Sequence, residues 1–289
     1  MKMIRGKKAL ITGAASGIGR AIALALARQG ADLYLLDIDR VGLEAVVDEA
    51  SAAGVNAVGE ICDISIQENI GVAVRTMLER WGHVDILVNN AGIAYYGPTE
   101  RMTAEQWNRL LAINLLAPIH LTRELLLTLL ARPEADLLNV CSISGLVAGG
   151  RFAAYHVSKF GLVGFTEAMR AEYGRRGLGV TSLCPGPVRT NLYSSAMSGK
   201  KGKPVPTPPA WICTTEEKVA AAAVRAIRRN KRMILLTPLA HVLYNLHRFA
   251  PWFLDLLNHA GRNRKRHAQA DFAKASVPAD EAQATSRAA

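Results

Sequence analysis

The residues best suited to chemistry sit in the stretch YHVSKFG, Tyr155 to Gly161. Tyr155 and Lys159 are four apart, so on a helix they share one face. A free phenol has a pKa of about 10 and is a poor base near neutrality. An ammonium beside it favours the phenolate and lowers that value. Such a tyrosine can take a proton from an alcohol or give one to a carbonyl. A Tyr–Lys pair alone is common surface decoration, so the reading depends on what surrounds it. His156 lies about 100° around the helix from Tyr155 and reads as packing or surface.

The glycines near the start of the chain supply that setting. TGAASGIGRAIA places Gly13, Gly17 and Gly19 directly after an apolar run and before a helical pattern. Glycines there let the backbone turn tightly and approach a pyrophosphate, and the helix N-terminus adds N–H groups and a positive dipole end. The next apolar run, DLYLLDI, brings Asp37 to a strand end 18 residues after Gly19. A carboxylate there accepts hydrogen bonds from the adenosine ribose hydroxyls and repels a 2′-phosphate, so NAD is expected ahead of NADP. Arg40 is close enough in sequence to soften that preference, and Arg20 is expected on the helix exterior.

The elements that must position these groups are legible as alternation. Seven short apolar runs, KALITG, DLYLLDI, NAVGEICD, DILVNNA, DLLNVCS, GVTSLCPG and RMILLTP, are separated by helical patterns. The helices are expected over residues 18–29, 41–53, 67–81, 104–130, 154–175 and 216–230, with Gly30, Gly54, Gly82 and Gly177 as stops. Most runs are continuously apolar, as strands covered on both faces are. The fold class is therefore α/β: a doubly wound parallel sheet (Rossmann fold) of about seven strands with helices on both faces, plus a C-terminal helical extension. Right-handed crossovers put the ligand at the carboxyl ends of the strands.

With these motifs in order, the chain resembles the short-chain dehydrogenase/reductase family over roughly residues 7–238. The resemblance rests on TGAASGIG (Thr12 to Gly19), CDI, NNAG (Asn89 to Gly92), Ile113–Asn114, Ser142, Tyr155-x-x-x-Lys159 and PGPVRT (Pro185 to Thr190). It implies a nicotinamide-dependent oxidoreductase acting on an alcohol or carbonyl. The family's thirteen-residue spacing from serine to tyrosine implies Ser142, not Ser144, as the group holding the substrate oxygen. By the same resemblance Lys159 reaches the nicotinamide ribose and Asn114 orders a water linking Lys159 to solvent. Cofactor contacts are implied for Tyr155 as well as Lys159, and for Gly13, Ser16, Gly17, Ile18, Gly19, Asp37, Asp63 at the adenine amino group and Ile64 on the ring. They continue through Asn90, Ala91 and Gly92, and then Pro185 and Gly186 beside the nicotinamide. Val188 and Thr190 would hold its carboxamide, and the pro-S hydride would be transferred.

The rest of the chain bounds the remaining calls. Its 289 residues are half hydrophobic, enough for a large core, and net charge is +11. Much of that charge falls late, in RAIRRNKR and GRNRKRH. A solvated helix face is favoured there over a patch for an anionic partner. No uninterrupted apolar span approaches the roughly 18 residues of a membrane helix. The start reads as a first strand, not a signal peptide. Cys62, Cys141, Cys184 and Cys213 lack metal-ligand or CxxC spacing and are expected reduced and buried, in a cytoplasmic protein. No metal and no nucleic-acid partner are expected. Three regions are expected: a catalytic domain over 1–238 with a substrate loop at 192–212, a helical extension with a basic end over 239–267, and a disordered tail over 268–289. The variable segments supply Tyr95, Tyr96, Phe152, Tyr193, Met197 and Trp211, an apolar lining suited to a hydrophobic secondary alcohol or ketone. The extension reads as pocket cover or subunit interface first and as peripheral membrane contact second. A homodimer or homotetramer is expected from the resemblance. Two other functions stay open. One is reduction of a 3-oxoacyl thioester on an acidic carrier drawn by Lys200, Lys201, Lys203 and the late arginines. The other is a non-catalytic dinucleotide-binding regulator, which would have no use for a proton donor.

Overall fold

The computed structural model describes residues 1, 3–190, 192–193, 196–198, 205–253 and 256. Residues 1–241 form one unit and 242–289 a second. In the first, β1 (Lys8–Thr12), β2 (Asp32–Asp37), β3 (Ala57–Ile61) and β4 (Ile86–Asn89) alternate with α1 (Gly17–Ala27), α2 (Arg40–Ala52) and α3 (Gln67–Trp81). After a two-residue strand β5 (Tyr95–Tyr96) come α4 (Ala104–Leu111), α5 (Ala117–Leu130), β6 (Ala135–Val140), α6 (Ala153–Tyr173) and β7 (Leu178–Pro185). Then follow β8 (Met197–Ser198), α7 (Glu216–Arg229), β9 (Met233–Leu236) and α8 (Pro238–Phe249), which runs into the second unit.

The seven runs read as strands become one parallel sheet in the order β3-β2-β1-β4-β6-β7-β9. Chain order reverses between β1 and β4, and a crevice opens outside the strand ends at such a point. Leu10, Leu33, Leu35, Leu36, Leu87 and Leu183 are fully buried; each such side chain contributes roughly 1.5–3 kcal/mol on leaving water. The helices start where their sequences predict. Thr103 and Gln106 form a capping box before α4, and Asp39 and Thr215 cap α2 and α7. Gly82 ends α3 in the left-handed region, φ 70°, where a side chain would be strained.

Two features of the backbone differ from expectation. The single helix expected over 104–130 is broken by a π-turn at Ala112–Leu116. One extra residue is absorbed there, a device frequent at functional sites. That stretch is apolar and long enough, by composition, to cross a bilayer, yet Leu121, Leu125 and Leu129 are buried against the sheet, as in a core helix. The second feature is the pairing of β5 with β8 (Tyr95 with Met197, Tyr96 with Ser198), which ties the segment after β4 to the loop after β7. Among the cysteines, Cys62, Cys141 and Cys184 are buried as expected, but Cys213 is partly exposed, with its thiol toward the Pro209 carbonyl. Lys200, Lys201, Lys203, the basic run 261–267 and the tail 268–289 lie outside the described residues.

Candidate active site

A cleft of about 510 Å³ runs along the carboxyl ends of the strands. Every expected catalytic and cofactor-contact residue lines it except Gly19 and Asn114. Both exceptions lie just behind the lining.

The glycine turn is held from β4. The Asn90 amide donates to the carbonyls of Thr12 (2.9 Å) and Gly13 (3.0 Å). The Thr12 hydroxyl accepts from the N–H groups of Asn90 and Ala91. Asn90 therefore builds the turn with its side chain while its backbone borders the cleft. Gly19 packs so closely that a Cβ would stand 1.9 Å from the Gly13 carbonyl oxygen. Ser16 caps α1 with no side-chain hydrogen bond, so the first N–H groups of α1 are free to face an anion. Asp37 is oriented by three backbone donors, Ala15 N (2.9 Å), Ile38 N (2.7 Å) and Asp39 N (3.0 Å). A hydrogen bond from the Ser65 hydroxyl holds the Asp63 carboxyl below its ordinary value, and the Arg109 guanidinium adds to this. Arg20 sits outside α1 on Glu49, and Arg40 pairs with Glu44 on the exposed face of α2. The cradle fits a dinucleotide: a glycine turn no side chain could enter, free N–H donors and an anchored carboxylate.

At the other end, Ser142, Tyr155 and Lys159 come together. The Ser142 Oγ accepts from Ser144 N (3.1 Å), and Gly145 lets this turn lie on α6, since a Cβ there would meet the Lys159 carbonyl at 2.5 Å. The Lys159 Nζ is buried, donates to the Val140 carbonyl (2.8 Å) and stands 5.8 Å from the Tyr155 ring centroid. Burial, not the lysine, governs the phenol. Desolvation pushes the Tyr155 pKa well up, and a hydrogen bond with Ser142 opposes it. Desolvation likewise lowers Lys159. The lowering of Tyr155 expected from the i, i+4 pair is not what the protein alone produces. The Cys184 thiol, hydrogen-bonded to Cys141 and buried, is held well above its ordinary range as a neutral core group.

Asn114 occupies the π-turn and is fully buried. Its Oδ1 accepts from Ile93 N (2.8 Å), and its Nδ2 donates to Ile93 O (2.8 Å) and the Ser158 hydroxyl (3.2 Å). Both amide hydrogens are engaged, which leaves the second Oδ1 lone pair. A Cβ on Gly92 would stand 3.4 Å from that oxygen and 3.7 Å from Lys159 Nζ, so both groups border the gap this glycine leaves.

Of the expected substrate-side residues, Phe152 and Tyr193 line the cleft, and Tyr96 packs on Phe152 with ring centroids 5.0 Å apart. Tyr95 is instead buried with Leu110 and Ala154, with Met197 packed against them, and Trp211 is 85% exposed and turned away. The sequence gives no sign of the role of His156, which is not mere packing. Its Nδ1 meets the Ser144 carbonyl (2.8 Å) and its Nε2 accepts from Gly149 N (2.9 Å). It thus clamps the loop between Ser142 and Phe152 onto α6. The accepting Nε2 fixes the proton on Nδ1.

Residues 7–201 match the family model for short chain dehydrogenase. D-threitol dehydrogenase of Mycolicibacterium smegmatis is 35% identical over 223 residues, covering 76% of this chain and 85% of its own length. Among solved structures, a short chain dehydrogenase/reductase of Burkholderia phymatum in complex with NAD superposes with TM-score 0.77 at 27% identity, over 86% of this chain and 95% of that one. A short-chain dehydrogenase of Sphingobium yanoikuyae in complex with NADPH gives 0.72 at 26% identity, over 90% and 95%.

Proposed function

This chain belongs to the short-chain dehydrogenase/reductase family and is a nicotinamide-dependent oxidoreductase of CH–OH groups; from that premise we propose that it interconverts a hydrophobic secondary alcohol and its ketone and prefers NAD. The observation that carries the reading is the meeting of Ser142, Tyr155 and Lys159 in one cleft whose lining also includes the apolar Ile93, Ala94, Phe152, Leu192 and Pro206 and the aromatic Tyr193.

The cofactor, when bound, supplies the hydride acceptor or donor. The first N–H groups of α1 at Gly17 and Ile18 would hold its diphosphate. Asp37 would meet the adenosine ribose, Asp63 and Ile64 the adenine, and Val188 and Thr190, after the Pro185–Gly186 turn, the carboxamide. Because Ser142 Oγ already accepts from Ser144 N, its own proton is free for the substrate oxygen or Tyr155. The buried phenol rests protonated, which is the donor form for a carbonyl. Oxidation requires the phenolate, and positive charge gathered at Lys159 favours it. Asn114 Oδ1 and Lys159 Nζ, both bordering Gly92, are the groups a proton-relaying water would join.

The apolar lining favours a bulky ketone over a polyol, the competing class raised by the likeness to D-threitol dehydrogenase. For the acyl-carrier alternative, the lysines it invokes lie outside the described residues. Assembly as a homo-oligomer is supported by apolar side chains left exposed along α5 and α6, among them Leu127, Val157 and Phe160. The test is a panel of secondary alcohols and ketones with NAD(H) and NADP(H), followed by nicotinamide absorbance. We expect turnover on bulky apolar members with NAD(H) ahead of NADP(H). Turnover confined to small polyols, or a clear preference for NADP(H), overturns the proposal.

A further inference from the structure

We propose that Glu216 is an affinity-setting residue of the dinucleotide site: its carboxylate opposes the cofactor's diphosphate and keeps the cofactor loosely held. The inference rests on reading the glycine turn as the diphosphate cradle. Glu216 opens α7, which packs along α1 through Val219, Ala220 and Ala223. Its Oε1 lies 3.8 Å from where a Cβ on Gly17 would stand, as close as the Thr190 side chain. Gly17 and Thr190 both line the cleft, so the carboxylate stands directly behind that rim.

Glu216 is partly buried, and its carboxylate makes no hydrogen bond or ion pair among the described residues. An unpaired, partly desolvated charge costs free energy. Burial and the neighbouring Glu217 raise its pKa, and Arg20 opposes them, but the Arg20 guanidinium is engaged by Glu49. The positive end of α7 welcomes a first-turn acid, yet Glu217 already serves there, exposed and hydrogen-bonded to Thr215. What sets Glu216 apart is that it faces the turn built for an anion. A negative charge a few ångströms from a diphosphate, in surroundings between protein and water, weakens binding by roughly fivefold to thirtyfold. A weakened hold speeds cofactor exchange, and product release often limits turnover in enzymes that enclose their ligands.

The test is titration of NADH, followed by its fluorescence, with wild type, Glu216→Gln, Glu216→Ala and Glu217→Gln. We expect both Glu216 variants to bind at least about fivefold tighter at low ionic strength. The gap should narrow near 1 M salt, where the screening length falls to about 3 Å. Glu217→Gln should match wild type. Unchanged or weaker binding in the Glu216 variants overturns the inference, as does a gap indifferent to salt. Wild-type protein that does not bind NADH at all would instead refute the reading of the cradle itself.

Discussion

Replacing Lys159 by methionine removes a buried cation and keeps much of its volume, and two effects on stability then oppose each other. The hydrogen bond from Nζ to the Val140 carbonyl, 2.8 Å long, disappears, and a buried carbonyl left unmet costs about 1–3 kcal/mol. Against this, the variant no longer buries an ammonium that is only 4% exposed, a penalty of roughly several kcal/mol per ion. The two nearly cancel or favour the variant, so its Tm should fall by no more than about 4 °C and is free to rise. Turnover should behave oppositely. Without the cation the Tyr155 phenol, already pushed up by burial, has no charged neighbour to stabilise its anion. A loss of about 10²–10⁴ in kcat is expected. The pH dependence of stability gives an independent check. The folded protein holds Lys159 at a lowered pKa, so between that value and about 10.4 the unfolded chain binds more protons. Wild-type stability on this account rises with pH through that window, and the methionine variant lacks the rise. Melts followed by circular dichroism at several pH values, together with nicotinamide-coupled assays, measure both effects. Destabilisation well beyond about 3 kcal/mol would refute the stability reasoning, and undiminished turnover would refute the chemistry.

Tyr155→Phe keeps the ring and removes only the hydroxyl; kcat should drop about 10²–10⁴ while NADH affinity by fluorescence stays near wild type. Gly19→Ala drives a Cβ to within 1.9 Å of the Gly13 carbonyl oxygen. It should cost at least about 1–3 kcal/mol in urea unfolding and abolish measurable NADH binding; a well-folded variant that binds normally would disprove the close approach. His156→Ala frees the Gly149 N–H from the imidazole. Hydrogen exchange at that amide should accelerate, and KM for a ketone substrate should rise more than kcat falls; unchanged exchange would remove the clamp.

The parallel strands were readable because burial on both faces leaves unbroken apolar runs, as in DLLNV and ILVN. The glycine turn and the Tyr155–Lys159 pair were readable because close approach and a shared helix face demand fixed spacings. What escaped depended on distant partners. The two residues of β5 have no pattern of their own and become a strand only by meeting Met197 and Ser198. The π-turn at Ala112–Leu116 hides because one absorbed residue barely disturbs an apolar period already broad in that stretch. Tyr95 and Trp211 show that an aromatic residue near a site need not face it: one is 2% exposed and the other 85%. The rise of the Tyr155 pKa was missed because spacing reports the neighbouring charge and says nothing of how dry the pocket is.

The wiring of Gly13 to Asn90 has a consequence for a chain still emerging during synthesis. A nascent stretch ending before residue 86 already owns all three glycines, the first helix and the acid at the tip of β2. It lacks the amide that pins the turn, 77 positions further on from Gly13. If the turn is the diphosphate cradle proposed above, its hold on a nucleotide should mature when the fourth strand slots in beside the first. Fragments cut earlier would carry the fingerprint without the grip, and the ligand cannot template the opening stages of assembly.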